Sequence, residues 1–165
     1  MGQLELAWEH RSGDFSDGSG DWGLTSFQVT PLVDDDTLYY CTPFGRVFAL
    51  NAETGAERWQ FDPRVQNRRS GVYPAVCRGV ALWQASDPEE ATASCGKRVL
   101  YGTRDAELIA LDAATGLPCA DFGNNGRVSL GLGARTRRLP GTASRQPRQC
   151  PLSHGQPQRL GTHRR

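Results

Sequence analysis

The chain has 165 residues with a formal net charge of +1, a length for which one ordinary domain is the default. The near-neutral charge hides two different polypeptides: residues 1–133 carry 11 basic and 18 acidic side chains, whereas 134–165 carry eight Arg and no acid. No apolar run approaches the ~20 residues of a membrane span, and the Met1 region lacks the basic and apolar segments of a signal peptide, so the chain expressed alone is expected in the cytoplasm.

In chain order, Leu4 to His10 (LELAWEH) reads as a strand with Trp8 in the core. Residues 11–23 hold four Gly and three Asp and read as a long loop, since turn residues and polarity leave little to bury. Asp14, Asp17 and Asp21 lack the Gly and terminal Glu of a calcium loop, and a solvated loop is the expectation. Phe27 to Val33 reads as a strand that Pro31 places at an edge or bulge. Three strands follow: Thr37 to Thr42, Arg46 to Asn51, and one ending in Trp59, Gln60 and Phe61 after a Thr54-Gly55 turn. These four strands make one antiparallel unit.

A second copy begins 61 residues later: Tyr40, Thr42, Ala49, Leu50, Ala52, Thr54 and Gly55 recur as Tyr101, Thr103, Ala110, Leu111, Ala113, Thr115 and Gly116. Spaced identities of this kind mark a repeat architecture, in which each unit buries its faces against its neighbours. Alternation fails in Val47, Phe48, Ala49 and Leu50, so both faces of that strand are expected to be covered. Small Ala49 lets a neighbouring sheet approach. Asn51 and Asp112 can bond their own backbone at the strand end, and Gly55 and Gly116 supply the positive φ of the turn. Trp59 is the expected anchor between repeats; Ala120 stands at its place in the second copy, so the anchor is not expected there.

Between the copies, Val80 to Trp83 is expected to open the second unit, and a polar insertion runs from Gln84 to Gly96. At the mouth of that strand lies Arg78-Gly79. A guanidinium beside a Gly can fork onto a carboxylate that approaches the backbone closely; the alternative is a surface Arg at a turn. Cys41, Cys77, Cys95, Cys119 and Cys150 contain no C-x-x-C pair and no His clusters with them, which argues against a zinc site. Cys77 and Cys95 bracket the insertion and could pair in an exported chain; buried free thiols remain open. Spacing alone identifies no catalytic triad, phosphate loop or paired carboxylates.

The series AWEHRSGD, FQVTPLVDDDTLYYCT, RVFALNAETGAERWQFD, CRGVALW, RVLYGT, ELIALDAATG and GLPCADFGNNGRVSL resembles the start of the propeller domain of the membrane-bound pyrroloquinoline quinone (PQQ) dehydrogenases, of the glucose and quinate dehydrogenase group. The resemblance spans about residues 4 to 132. It implies an all-β fold, an eight-bladed propeller of which this chain holds about two four-stranded antiparallel blades, near 27–62 and 78–122. It also implies PQQ bound with calcium or magnesium, oxidation of a sugar or polyol by hydride transfer to the quinone carbonyl, a carboxylate that takes the hydroxyl proton, and ubiquinone as electron acceptor at the periplasmic face of the inner membrane.

Within the resemblance, Arg78 matches the cofactor-contacting arginine of the family's C-R-G motif, and Gln28 falls at a position near the cofactor. Glucose dehydrogenases carry a His three residues before the C-R-G cysteine. Here Pro74 stands in its place and offers no side-chain donor or acceptor. The family's metal ligands, catalytic carboxylate and active-site lysine belong to later blades. The chain is therefore expected to be a fragment without activity of its own, its missing blades leaving strand edges exposed. A non-catalytic scaffold propeller is the alternative, and CRGV together with GLPCADFG argues against it. Residues 134–165 lack aromatic side chains to stack a base, which argues against a nucleic-acid arm. Their Arg-rich, acid-free composition predicts disorder and suggests a frameshift near residue 133.

Overall fold

The strands follow from a pattern repeated at a spacing of 61 residues, and each repeat folds as one sheet. In the computed structural model, which describes residues 5–68 and 73–131, the first sheet contains β1 (Leu32–Asp34), β2 (Thr37–Cys41), β3 (Val47–Asn51) and β4 (Glu57–Phe61). The second contains β5 (Ala81–Gln84), β6 (Lys97–Gly102), β7 (Glu107–Asp112) and β8 (Arg127–Ser129), with the short helix α1 (Pro88–Thr92) before β6. Both are antiparallel meanders in chain order. The architecture is all-β, two blades of an incomplete propeller, with no closed barrel among the described residues.

The turn chemistry is the same in both sheets. Asn51 Oδ1 accepts from the Glu53 and Thr54 amides and the Thr54 hydroxyl at 2.8–3.0 Å. Asp112 Oδ1 accepts equivalently from Ala114, Thr115 and the Thr115 hydroxyl. Gly55 and Gly116 then take φ of 72° and 73°, a left-handed conformation that costs Gly nothing. The insertion after β5 gains its helix from Asp87, whose side chain caps the Glu89 and Glu90 amides, with Pro88 starting the first turn.

Val47, Phe48, Ala49 and Leu50 are all buried, as their lack of alternation predicts. One face of the first sheet (Tyr39, Cys41, Val47, Ala49, Trp59) meets Val99, Tyr101, Ile109 and Leu111 of the second in a single core. The opposite face buries Tyr40, Phe48 and Leu50 under Trp8, Val29 and Leu38. At the rim between the sheets, Lys97 Nζ pairs with Asp34.

Trp59 is the inter-sheet anchor: it is buried, and its Nε1 donates to the Ala113 carbonyl at 3.0 Å. The second copy has Ala120 at this place and no anchor there; an equivalent anchor occurs one unit earlier. Trp8 Nε1 donates to the Ala52 carbonyl at 3.1 Å, and Trp8 lies against Gly55 as Trp59 lies against Gly116. Residues 5–10 thus sit against the first sheet as β4 sits against the second. They form no strand, in contrast to the expectation for Leu4 to His10, because no described neighbour pairs with their backbone.

Three other expectations are corrected. The strand expected from Phe27 to Val33 shrinks to Leu32–Asp34, because Pro31 has no N–H for the ladder; residues upstream pair elsewhere. Asp14 is not solvated but buried, taking the Thr42 hydroxyl and the Arg46 guanidinium, which also reaches the Ser12 carbonyl; Asp17 and Asp21 are exposed. Cys77 and Cys95 do not pair with each other. The disulfides are Cys41–Cys77 and Cys95–Cys119, with Cα separations of 5.8 and 5.7 Å, within the range a bridge needs.

The outer strand of the second sheet is split. Pro118 bridges to Leu111 and the Cys119 amide donates to Ala110, the chain then loops out, and β8 pairs with the first half of β7. The Cys95–Cys119 bond holds this interrupted edge. The Arg-rich residues 134–165, and the disorder and frameshift expected of them, lie outside the described residues.

Candidate functional site

The segments that lead into β1 and β5 run side by side. Thr25 and Ala75 form a parallel bridge, in which the Ala75 amide donates to Leu24 at 2.7 Å and the Ser26 amide to Ala75 at 2.9 Å. Farther along, the Thr30 amide donates to the Arg78 carbonyl at 2.9 Å. This lateral pairing brings Gln28 and Arg78, the two residues singled out from sequence, onto adjacent stretches of backbone. Neither stretch is a strand in either sheet, which is why strand periodicity carries no sign of the pairing.

Both side chains are exposed. Gln28 Nε2 donates to the Ser26 hydroxyl at 3.1 Å, which leaves its carbonyl oxygen available as an acceptor. Among the described residues no hydrogen bond or ion pair engages the Arg78 guanidinium. Gly79 follows it, where an added Cβ would lie 3.4 Å from the Thr30 carbonyl, an ordinary van der Waals contact. An uncommitted guanidinium fits an anion such as one carboxylate of PQQ, a tricarboxylic quinone. Pro74 lies at the start of the same stretch and contributes no polar side-chain contact.

The residues present do not fit the metal equally well. The cluster of potential ligand atoms among the described residues is Cys95, Cys119 and Asp121. Its sulfurs are joined in a disulfide, and a hard cation such as calcium or magnesium takes oxygen ligands. No described residue is assigned to it.

An open groove of about 740 Å³ lies between Trp8, His10, Phe27, Tyr40, Pro43 and Leu50, bordered by the Thr25–Val29 stretch that carries Gln28. It is the face of the first sheet turned away from the second, largely apolar, with Phe27 exposed. Inside it the Tyr40 hydroxyl and His10 Nδ1 are 2.6 Å apart, and His10 Nε2 lies 3.7 Å from Glu57. Burial, with Asp14 adding to it, pushes the Tyr40 hydroxyl up to about 12. The hydrogen bond ties the His10 imidazole to a phenol that burial keeps protonated. Among the described residues no helix is long and apolar enough to cross a membrane.

Comparison with known proteins gives the following. The profile described as "PQQ: Glucose/ethanol/alcohol dehydrogenase, beta-propeller domain" matches residues 1–152. Quinoprotein glucose dehydrogenase A of Acinetobacter calcoaceticus is 34% identical over 137 residues, 77% of this chain and 17% of the relative. Quinoprotein glucose dehydrogenase of Escherichia coli is 36% identical over 130 residues, 77% of this chain and 16% of the relative. The quinate/shikimate dehydrogenase (quinone) of Acinetobacter baylyi is 34% identical over 153 residues, 83% and 18%. Among solved structures, the quinohemoprotein alcohol dehydrogenase from Comamonas testosteroni superposes with a TM-score of 0.50 at 31% identity, over 66% of this chain and 14% of that one. The chain spans under a fifth of the length of these relatives.

Proposed function

The chain belongs to the β-propeller family of the PQQ-linked glucose, ethanol and alcohol dehydrogenases, and we propose that it supplies the first two blades of a propeller that oxidises a sugar or polyol. In this reading residues 1–133 are the propeller part and 134–165 an Arg-rich tail of different composition. Arg78 binds a carboxylate of PQQ as a charged fork, and Gln28, on the adjoining stretch, offers an amide to the same ligand. Bound PQQ supplies a quinone carbonyl that accepts hydride from an alcohol carbon. What this chain's residues contribute is binding and orientation.

The ligands of a calcium or magnesium ion, the proton-accepting carboxylate and the active-site lysine are assigned to later blades, and ubiquinone is the proposed electron acceptor. Two disulfides linking residues far apart in sequence support an oxidising compartment, consistent with work at the periplasmic face of a membrane rather than in the cytoplasm.

The observation that carries this reading is the exposed Arg78 guanidinium, free of partners among the described residues, on a backbone stretch held by hydrogen bonds to residues 24–30. PQQ titrated into the chain is expected to quench tryptophan fluorescence saturably, and Arg78→Ala to weaken binding by roughly 1.5–3 kcal/mol, the range for a hydrogen bond to a charged group. A chimera that completes the ring with blades of a quinoprotein glucose dehydrogenase serves as the second measurement. Saturable binding in neither protein, or an affinity unchanged by Arg78→Ala, overturns the assignment.

A further inference from the structure

Arg78 lies near the end of the connection between β4 and β5, whose described residues, 62–68 and 73–80, form no strand or helix. The first part of the connection is held by the Asp105 carboxylate, which accepts from the Gln66 and Asn67 amides at 2.8 Å, and by a bond from the Gly23 amide to the Arg68 carbonyl. Residues 73–80 bond through Ala75 and Arg78 to residues 24–30, a stretch that also precedes its own sheet. The two stretches therefore support one another without either being fixed by a ladder. A covalent link to a strand enters at one point, Cys77, whose sulfur is bonded to Cys41. Cys41 is the last residue of β2, fully buried in the core between the sheets. Cys77 is immediately adjacent to Arg78.

Resting on the cofactor reading above, we propose that the Cys41–Cys77 disulfide is the positioning element for Arg78: it ties the residue beside the guanidinium to a rigid strand and so presets the point from which the side chain reaches a carboxylate ligand. The physical basis is preorganisation. A long flexible side chain gains affinity when its base is already ordered, because binding then has only the side chain left to order. Cys95–Cys119 provides the internal control. It ties the connection before β6 to the stretch after β7 and touches neither residues 24–30 nor 75–80 through any hydrogen bond described.

The test uses the full chain and two readouts. Hydrogen exchange of the amides at 73–80 is expected to accelerate in Cys41→Ala/Cys77→Ala and to stay unchanged in Cys95→Ala/Cys119→Ala, whereas unchanged exchange in the first variant overturns the positioning role irrespective of any ligand. PQQ titration supplies a cycle with Arg78→Ala. Removing Cys41–Cys77 is expected to weaken binding about tenfold when Arg78 is present and less than about twofold when it is absent, since preorganised base and side chain act as one unit. An equal loss in the Arg78→Ala background, or the same loss on removing Cys95–Cys119, shows that the bond acts through general stability and overturns the proposal. Absence of PQQ binding by the unsubstituted chain and by the ring-completing chimera overturns the cofactor reading, and the positioning role with it; binding that survives loss of Cys41–Cys77 undiminished overturns the positioning role alone.

Discussion

Trp59 of the first sheet closes over Gly116 of the second so tightly that a Cβ added at Gly116 would lie 2.6 Å from the indole. The same indole donates to the Ala113 carbonyl, which also accepts the Tyr39 hydroxyl at 3.1 Å. Gly116 therefore has two reasons to be Gly, a left-handed backbone and a ring pressed against it. Gly116→Ala is expected to destabilise the chain by about 1–3 kcal/mol, through strain and overpacking together, and Trp59→Ala by about 3–5 kcal/mol. Urea unfolding midpoints check both. Gly55→Ala, beneath Trp8, is expected instead to release residues 5–10 to protease while the two sheets keep their cooperative transition.

Tyr40 and Tyr101 occupy the same place in the two repeats but differ in their partners. His10, two residues after Trp8, meets the Tyr40 hydroxyl; Phe61, two residues after Trp59, has nothing to offer Tyr101. The Tyr101 hydroxyl is buried with no hydrogen bond among the described residues, and burial pushes its ionisation above the ordinary tyrosine value. Tyr101→Phe should then be neutral or stabilising, by up to about 1 kcal/mol, whereas Tyr40→Phe should cost about 0.5–1.5 kcal/mol. Thermal denaturation of both variants decides it: a larger loss from Tyr101→Phe than from Tyr40→Phe contradicts the partner assignment.

Tyr40 also makes stability sensitive to alkali. Its folded value of about 12 lies above the ordinary value of 10.0, so the folded state favours the protonated form. That contribution is complete below pH 10 and is lost as pH rises toward about 12. Tyr40→Phe should flatten this part of the stability curve.

Asp112 governs the acid side. Burial opposes its charge, but hydrogen bonds from the Cys95 amide, the Thr115 hydroxyl and amide and the Ala114 amide outweigh that and hold its carboxyl below the ordinary 3.8. A depressed carboxylate stabilises the fold fully above its unfolded value, and the contribution disappears as pH falls through the folded value. Asp112→Asn should keep the turn, since Asn51 makes the equivalent bonds in the first repeat. The variant should lose stability at pH 7 and converge with the unsubstituted chain below pH 3.8 in melting experiments.

The two disulfides close loops with sequence separations of 36 and 24 residues. Chain-entropy reasoning gives each about 3–4 kcal/mol, slightly more for the longer loop. Double Cys→Ala variants should lose that stability in denaturant titrations, and mass spectrometry of a non-reduced digest should find Cys41 linked to Cys77 and Cys95 to Cys119, with no Cys77–Cys95 peptide.

The sequence by itself determined whatever depends on local periodicity and turn chemistry. Four strands per repeat, covered faces at Val47 to Leu50, the side-chain caps at Asn51 and Asp112, and the positive φ of Gly55 and Gly116 are properties of a few neighbouring residues. So is the suitability of Trp59 as an anchor, because only a large aromatic can span two sheets. Arg78 was reached from its place beside Gly79 at the mouth of an expected strand as well as from motif resemblance, and Gln28 from resemblance alone.

Tertiary structure decided what depends on residues distant in the chain. Asp14 looks like a solvated loop acid until Arg46 and Thr42 are brought to it. Cysteine pairing follows from which backbones lie within bridging distance, and bracketing an insertion says nothing about that. Trp8 could be recognised as the second anchor only once its carbonyl partner, Ala52, was seen to match Ala113, although its spacing from His10 repeats that of Trp59 from Phe61. The closeness of the Gln28 and Arg78 stretches rests on a parallel pairing between two irregular segments, and such pairing has no periodic signature because backbone hydrogen bonds are made by every residue type alike.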